Sequence, residues 1–314
     1  MMHFLARDRW ITFILMMVLL PACNEGNSQA NQNQKGEEQS FSIVGSDTEV
    51  NVVNQLAEEF MKQDSTRSIS VTGGGSGAGL NALIKGSADI ANSSRKLSDS
   101  EQKRAQQNGM RLVPFVFGKD AVAFVTHPNL PVEALTLKQL GAIYRGEITN
   151  WKEVGGYDAP ISLYGRQSSS GTFIYIRQKV LQGDYAQTTN RMNGNAQIVE
   201  SVRRDSTGIG YVGIGYIVDA DGSVQEGLQS IKIQLSDSTI ADPANRQAIS
   251  AGQYPLSRPL YQYFDVRKRD LIAPFLRFEI SDKGQEIVRN NGFYALDSSY
   301  QELNQEALKP QTDA

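Results

Sequence analysis

The chain of 314 residues holds one cysteine and two histidines, and its formal net charge is −3. So few thiols and imidazoles exclude a Cys/His metal cluster, although a carboxylate-only site stays open. His3 lies in an N-terminal stretch read below as a removable signal, so a Ser-His-Asp triad would have to use His127, which sits in the turn-like Thr126-His127-Pro128-Asn129 beside no serine motif. There is no five-residue GxSxG nucleophile elbow, and the glycine-rich stretch 73–79 lacks the Gly-Lys-Ser/Thr ending of a nucleotide-binding Walker loop. With no surplus of Lys and Arg, a nucleic-acid face is not expected. The literal GxGxxG at Gly208-Ile209-Gly210-Tyr211-Val212-Gly213 follows Arg203-Arg204-Asp205 and precedes another apolar run. Its dinucleotide-binding context therefore fails, and it reads as a glycine-rich buried strand.

Long apolar runs are also lacking. Ile11 to Leu20, interrupted only by Thr12, is half of the roughly 20 residues a membrane-spanning helix needs. Arg7 and Arg9 precede it and Leu20-Pro21-Ala22-Cys23 follows, which is the arrangement of a lipoprotein signal. Residues 1–23 are therefore expected to be a signal peptide ending in Cys23, the lipidated residue that ties the chain to a membrane. Residues 24–40 are Asn, Gln, Gly, Ser and Glu with almost no apolar side chain, a flexible tether by composition. The chain without its signal carries a net charge of about −4, so any anion must be held by local groups and not by general attraction.

What the chain does have is three Ser/Gly turns at expected strand-to-helix junctions. Gly45-Ser46-Asp47-Thr48 follows the strand-like Phe41–Val44, ahead of an apolar stripe at Val53, Leu56, Ala57 and Phe60. Gly73-Gly74-Gly75-Ser76-Gly77-Ala78-Gly79 follows Ile69–Thr72 and leads into a short helix ending at Lys85-Gly86. Tyr164-Gly165-Arg166-Gln167-Ser168-Ser169-Ser170-Gly171-Thr172 runs into Phe173-Ile174-Tyr175. A helix start presents unpaired N–H groups and a positive dipole end, and glycine lets the backbone approach a ligand closely. Three such turns, with Arg166 and Arg95 nearby, point to convergence on one oxyanion.

Alternating strands and helices argue for an α/β sheet with these turns at one edge. Ser98-Asp99-Ser100-Glu101 and Thr136-Leu137-Lys138-Gln139 are capping boxes of helices, the first ending near Asn108-Gly109. Between the boxes, the apolar runs 112–117 and 121–125 are separated by Gly118-Lys119-Asp120, which reads as a crossover between two lobes.

These motifs resemble those of the phosphate-binding proteins of bacterial ABC-type phosphate importers, in the periplasmic binding protein superfamily. The resemblance runs from Phe41 to about Leu296. It rests on the three turns, on Ala88-Asp89-Ile90-Ala91-Asn92-Ser93-Ser94-Arg95, and on Tyr-x-Gly-x-Ile-x-x-Trp at Tyr144–Trp151. It implies an α/β, two-lobed fold of type II with the ligand cleft between the lobes. Lobe 1 would be 41–118 with a C-terminal return over 256–303, lobe 2 would be 121–254, and 304–314 a tail. It nominates Thr48, Ser76, Arg166, Ser170, Gly171 and Thr172 as phosphate ligands, with Ser46 and Gly77 from the same turns. Well-known members carry a buried aspartate where this chain has Ser94, followed by Arg95, and both are taken as lining the same wall. That aspartate accepts the proton of hydrogen phosphate, which sulfate lacks. Asp47 is the candidate substitute acceptor, with capping of the helix after Thr48 as its other reading. Asp89 reads as structural.

The implied role is capture of inorganic phosphate and delivery to an ABC permease, without cofactor or enzymatic activity, by a monomer in the cell envelope. Binding of another tetrahedral oxyanion, phosphate sensing, and a phosphatase using Ser170 remain as alternatives.

Overall fold

The computed structural model describes residues 39–219 and 221–310, apart from the side chain of Ser250. The signal region with Cys23, the tether up to residue 38 and residues 311–314 lie outside the described residues. β1 (Gln39–Gly45) starts inside the stretch read as tether. Through the first turn it enters α1 (Val50–Gln63), whose stripe Val53, Leu56, Ala57 and Phe60 is buried as its spacing predicts. β2 (Arg67–Thr72), α2 (Ser76–Ile84), β3 (Ile90–Ser93) and α3 (Asp99–Gln107) complete the alternation. Gln39 and Ser40 belong to the sheet because they continue the parallel register of β1 with β2, opposite Arg67 and Ser68. Ser98 and Glu101 form the expected capping box of α3.

β4 (Leu112–Thr126) is one strand of 15 residues, not two runs parted by a turn. It stays extended through Gly118-Lys119-Asp120 because the returning strand pairs with it there, as described below. Next come β5 (Ala134–Leu135), α4 (Leu137–Arg145) with its capping box at Thr136 and Gln139, β6 (Ser162–Arg166) and α5 (Gly171–Ile176). β7 (Asn190–Met192), α6 (Asn195–Arg204) and β8 (Gly208–Gly213) follow, β8 being the buried glycine-rich strand expected in place of a dinucleotide loop. The hairpin of β9 (Gln229–Ser236) and β10 (Thr239–Ala241) precedes α7 (Arg246–Ser250). The chain then returns as β11 (Ser257–Asp265), followed by α8 (Arg269–Glu279), α9 (Asp282–Asn290) and α10 (Gln301–Leu308).

Eight strands follow one path, β2-β1-β3-β11-β4-β8-β6-β7, and β9 joins it at β4, pairing in turn with β5 and β10. β11 lies antiparallel between β3 and β4, with Leu260, Pro259 and Arg258 opposite Gly118, Lys119 and Asp120. The far end of β4, from Val122 to Thr126, pairs with β8 instead. One apolar cluster is drawn from 121–256 together with Tyr294, and two others from 41–117 and 260–303 or beyond. α10 corrects the expected tail: Asn304 is buried, with its amide bonded to both the N–H and the carbonyl of Val116, and Ala307 is fully buried.

Glu49, ahead of α1, and Glu279, at the end of α8, are both wholly buried. Burial pushes both well above the usual carboxylate range; the charge of Glu49 adds to the effect on Glu279, while the bond from Gln262 opposes it. That bond, from Gln262 Nε2 to Glu279 Oε1, is 3.0 Å. The folded chain thus keeps a proton on Glu279 that the unfolded chain releases above about pH 4.3. Its contribution to stability is complete below that pH and is lost as pH climbs toward the raised folded value. Glu279→Gln keeps the bond and removes the titration. Relative to wild type, the variant is expected to gain stability as pH rises from about 5 to about 8, where the wild-type contribution is being lost. Thermal melts at both pH values measure this, and an offset that does not change with pH would refute it.

Candidate functional site

The first turn is set by close contact of two strand ends. A Cβ on Gly45, where φ is +149°, would lie 2.1 Å from the carbonyl oxygen of Asn92 at the end of β3. Glycine therefore lets the Ser46 N–H reach that oxygen at 2.9 Å and directs Ser46, Asp47 and Thr48 along the sheet edge. The second turn uses Gly74 and Gly75, both at positive φ, to bring Ser76 to the start of α2. Ser76 is fully buried; its Oγ accepts the Ser94 N–H at 3.1 Å and stands 3.4 Å from Ser94 Oγ. In the third turn Ser170 caps α5, accepting the N–H groups of Thr172 and Phe173 at 3.2 and 3.4 Å.

These turns meet although 120 and more residues separate the first from the third. Thr48 Oγ1 and Thr172 Oγ1 are 3.2 Å apart. A Cβ on Gly171 would stand 2.3 Å from Ser76 Oγ and 2.7 Å from Ser94 Oγ, so only glycine fits opposite that hydroxyl pair. Gly77 N–H donates to Ser169 O at 2.9 Å, joining the second turn to the third. Ser46, Thr48, Ser76, Ser94, Arg166, Ser170, Gly171 and Thr172 are all buried here.

Arg166, the last residue of β6, is 1% exposed. Its Nη2 donates to the Asn193 carbonyl at 3.0 Å, while Nε and Nη1 have no hydrogen-bond partner. Nη1 lies 3.4 Å from Asp47 Oδ2. Burial pushes the Arg166 pKa down and the Asp47 carboxylate pulls it up. A buried guanidinium with two unmet donor nitrogens is set to receive an anion.

Asp47 does not cap the helix after Thr48: α1 has no side-chain cap. Its Oδ2 accepts the backbone N–H of Asn195 at 2.8 Å and the Asn195 amide at 2.6 Å, at the start of α6, while its own carbonyl accepts the Tyr216 hydroxyl. Arg95 is the nominated residue that the structure takes elsewhere. Nη1 and Nη2 bond to the two oxygens of Glu101 at 2.8 and 2.7 Å, and Nη1 also reaches Lys96 O. The same Glu101 closes the capping box of α3, so Arg95 is drawn along the chain and away from Ser94. Asp89 accepts the N–H of Ser42, the structural role read for it.

Two charges beside the turns escaped the reading of the sequence. Arg258 in β11 and Asp120 in β4 are buried and joined, with Nη2 2.8 Å and Nε 3.0 Å from Asp120 Oδ2. The available signal was a charge inside an apolar strand, which is not buried without a partner.

The match to a family model, described as a PBP superfamily domain, covers residues 28–283. The phosphate-binding protein PstS of Pseudomonas aeruginosa is 30% identical over 283 residues, covering 84% of this chain and 85% of that protein. A Clostridium perfringens substrate-binding protein solved with bound phosphate is similar at TM-score 0.72 and 29% identity, over 82% of this chain and all of that one. An ABC-type phosphate transport receptor from Vibrio cholerae matches at TM-score 0.63 and 30% identity, again over 82% of this chain and all of that one. The fold is the two-lobed α/β fold of these proteins, and the chain belongs to the family of phosphate-binding proteins of ABC-type phosphate transporters, within the PBP superfamily.

Proposed function

We propose that this protein captures inorganic phosphate outside the cytoplasm and hands it to the permease of an ABC importer, acting as a binding protein and not as an enzyme. The observation that carries the reading is Arg166, a buried cation with Nε and Nη1 unmet, beside hydroxyls from three strand-to-helix turns. In this reading Arg166, Thr48, Ser76, Ser170, Gly171 and Thr172 surround the phosphate, with Ser46, Gly77 and Ser94 completing the walls. Ser170 Oγ accepts two N–H groups of its own helix, which suits a cap and not an activated nucleophile. The lobes are 41–118 with 256–303, and 121–254, and an oxyanion contacting both favours the closed state by its differential affinity. The protein works as a monomer held to the membrane through a lipid on Cys23; among the described residues no helix is long and apolar enough to cross a membrane.

Asp47 is the proposed acceptor for the phosphate proton in place of the family's aspartate. Its carboxylate reaches Arg166 from the first turn while Asn195 holds Oδ2. Calorimetric titration with phosphate and then sulfate, at pH 5 and pH 8, tests both levels. Phosphate is expected to bind and sulfate to be refused at either pH, since phosphate carries a proton at both. Asp47→Asn should narrow the ratio of the two affinities by roughly ten- to a hundredfold, the worth of one charge-assisted bond. A chain that binds neither anion overturns the function, and an unchanged ratio in the variant overturns the role of Asp47.

A further inference from the structure

We propose that Arg258 is a second cation of the anion site, supplied by the strand that returns between the two lobes and aimed by Asp120. The inference rests on the anion-binding reading above.

Arg258 stands opposite Asp120, next to the point where β4 leaves its pairing with β11 and takes up β8. Asp120 is saturated on this side: Oδ2 takes Nε and Nη2, and Oδ1 takes the Ile214 N–H at 3.1 Å. The contact orients the guanidinium from one edge and leaves the other edge to the turns. There Nη2 donates to Thr172 Oγ1 at 2.9 Å and lies 3.4 Å from Thr48 Oγ1. These hydroxyls come from the third and first turns, so the tip of Arg258 lies where the two turns meet. Its Nη1 is buried and has no hydrogen-bond partner.

A counter-ion for Asp120 would need only the edge that Asp120 occupies. The unmet Nη1 and the two threonine contacts exceed that role, because a buried charged donor without an acceptor is costly. An oxyanion beside Thr48 and Thr172 supplies the acceptor. It also changes the balance between the two arginines. The charge of Arg258 works against that of Arg166, and an anion between them turns one repulsion into two attractions. Tyr175 supports the assembly from behind, its ring 5.2 Å from the guanidinium carbon. Because β11 runs beside β4 at the crossing, this charge need not move with either wall. Asp120 and Arg258 thus form a fixed positioning residue and ligand at the floor of the cleft.

The test is a double-mutant cycle on the full chain, with phosphate affinity read by calorimetry and folding by thermal melts. Arg258→Gln is expected to weaken phosphate binding by about thirtyfold or more. Asp120→Asn keeps the cation but loses the carboxylate that aims it, and should weaken phosphate binding by about three- to tenfold, less than Arg258→Gln does. The decisive chain is the double variant Asp120→Asn with Arg258→Gln, which buries no unpaired ion and should melt near wild type while still showing the loss. Double-variant affinity within twofold of wild type would make Arg258 a counter-ion of Asp120 only and overturn the proposal. Should the double variant fail to fold, Arg258→Lys decides: it keeps the charge and should recover most of the affinity that Arg258→Gln loses, and a Lys variant as weak as the Gln variant contradicts the assignment. A wild-type chain that binds no phosphate removes the anion site itself, an outcome distinct from a cycle in which wild type binds and the variants do not differ.

Discussion

Arg166→Gln should abolish phosphate capture at working concentrations while leaving the fold intact. Arg166 offers two unmet nitrogens in a place closed to water, so its charge meets an anion with little screening. Removing one partner of a buried charge pair costs about 3–5 kcal/mol, or roughly a few hundred- to several thousandfold in affinity. The backbone should tolerate the change, since the Arg166 N–H still reaches the Tyr211 hydroxyl at 3.0 Å and Asp47 keeps its bonds to Asn195. The unliganded variant is expected to melt near wild type, because burial disfavours the Arg166 charge and so offsets the lost pairing with Asp47. Phosphate, which should raise the melting temperature of wild type by mass action, should leave the variant unmoved. A variant affinity within tenfold of wild type would remove Arg166 from the centre of the site.

Much of this architecture is legible in local sequence, because its signals are local. Glycine at Gly74 and Gly75 answers to positive φ, and the boxes at Ser98 and Thr136 are closed by residues three positions away. The misreadings share one physical origin, a partner distant in sequence that overrides the local preference. Gly118-Lys119-Asp120 has the composition of a turn, but pairing with Leu260, Pro259 and Arg258 keeps it extended. Asp47 has the composition of a local cap, yet the start of α6 takes its carboxylate across 148 positions. The stretch from residue 304, read as the start of a tail, is held where Val116, 188 positions earlier, offers Asn304 both halves of an amide pair. Arg95 fails in the opposite sense. A carboxylate six residues on, already needed by a helix start, takes the cation that its nearness to the turns had suggested for the anion.

The site also depends on the close approach of two backbone segments, and Gly79→Ala should expose it. Gly79 lies within α2, where alanine ordinarily stabilises a helix by about 1 kcal/mol over glycine. Here the added Cβ would lie 2.2 Å from Val44 O and 2.5 Å from Gly45 Cα, against backbone that no side-chain rotation can relieve. Either α2 moves off β1 or the end of β1 shifts, and overpacking of this kind costs about 3 kcal/mol. Gly45 is pinned on its other side by Asn92, so the displacement should fall on α2 and carry Ser76 away from Gly171 and Ser94. The expected result is a clear drop in melting temperature together with weaker phosphate binding, measured on the same preparation. Gly86→Ala provides the comparison: its Cβ would meet nothing within 4 Å, so the strain of a positive φ of 74° is its whole cost and the anion site should be untouched. A Gly79→Ala chain with wild-type affinity would show that the second turn does not need its packing against β1 to hold Ser76 in place.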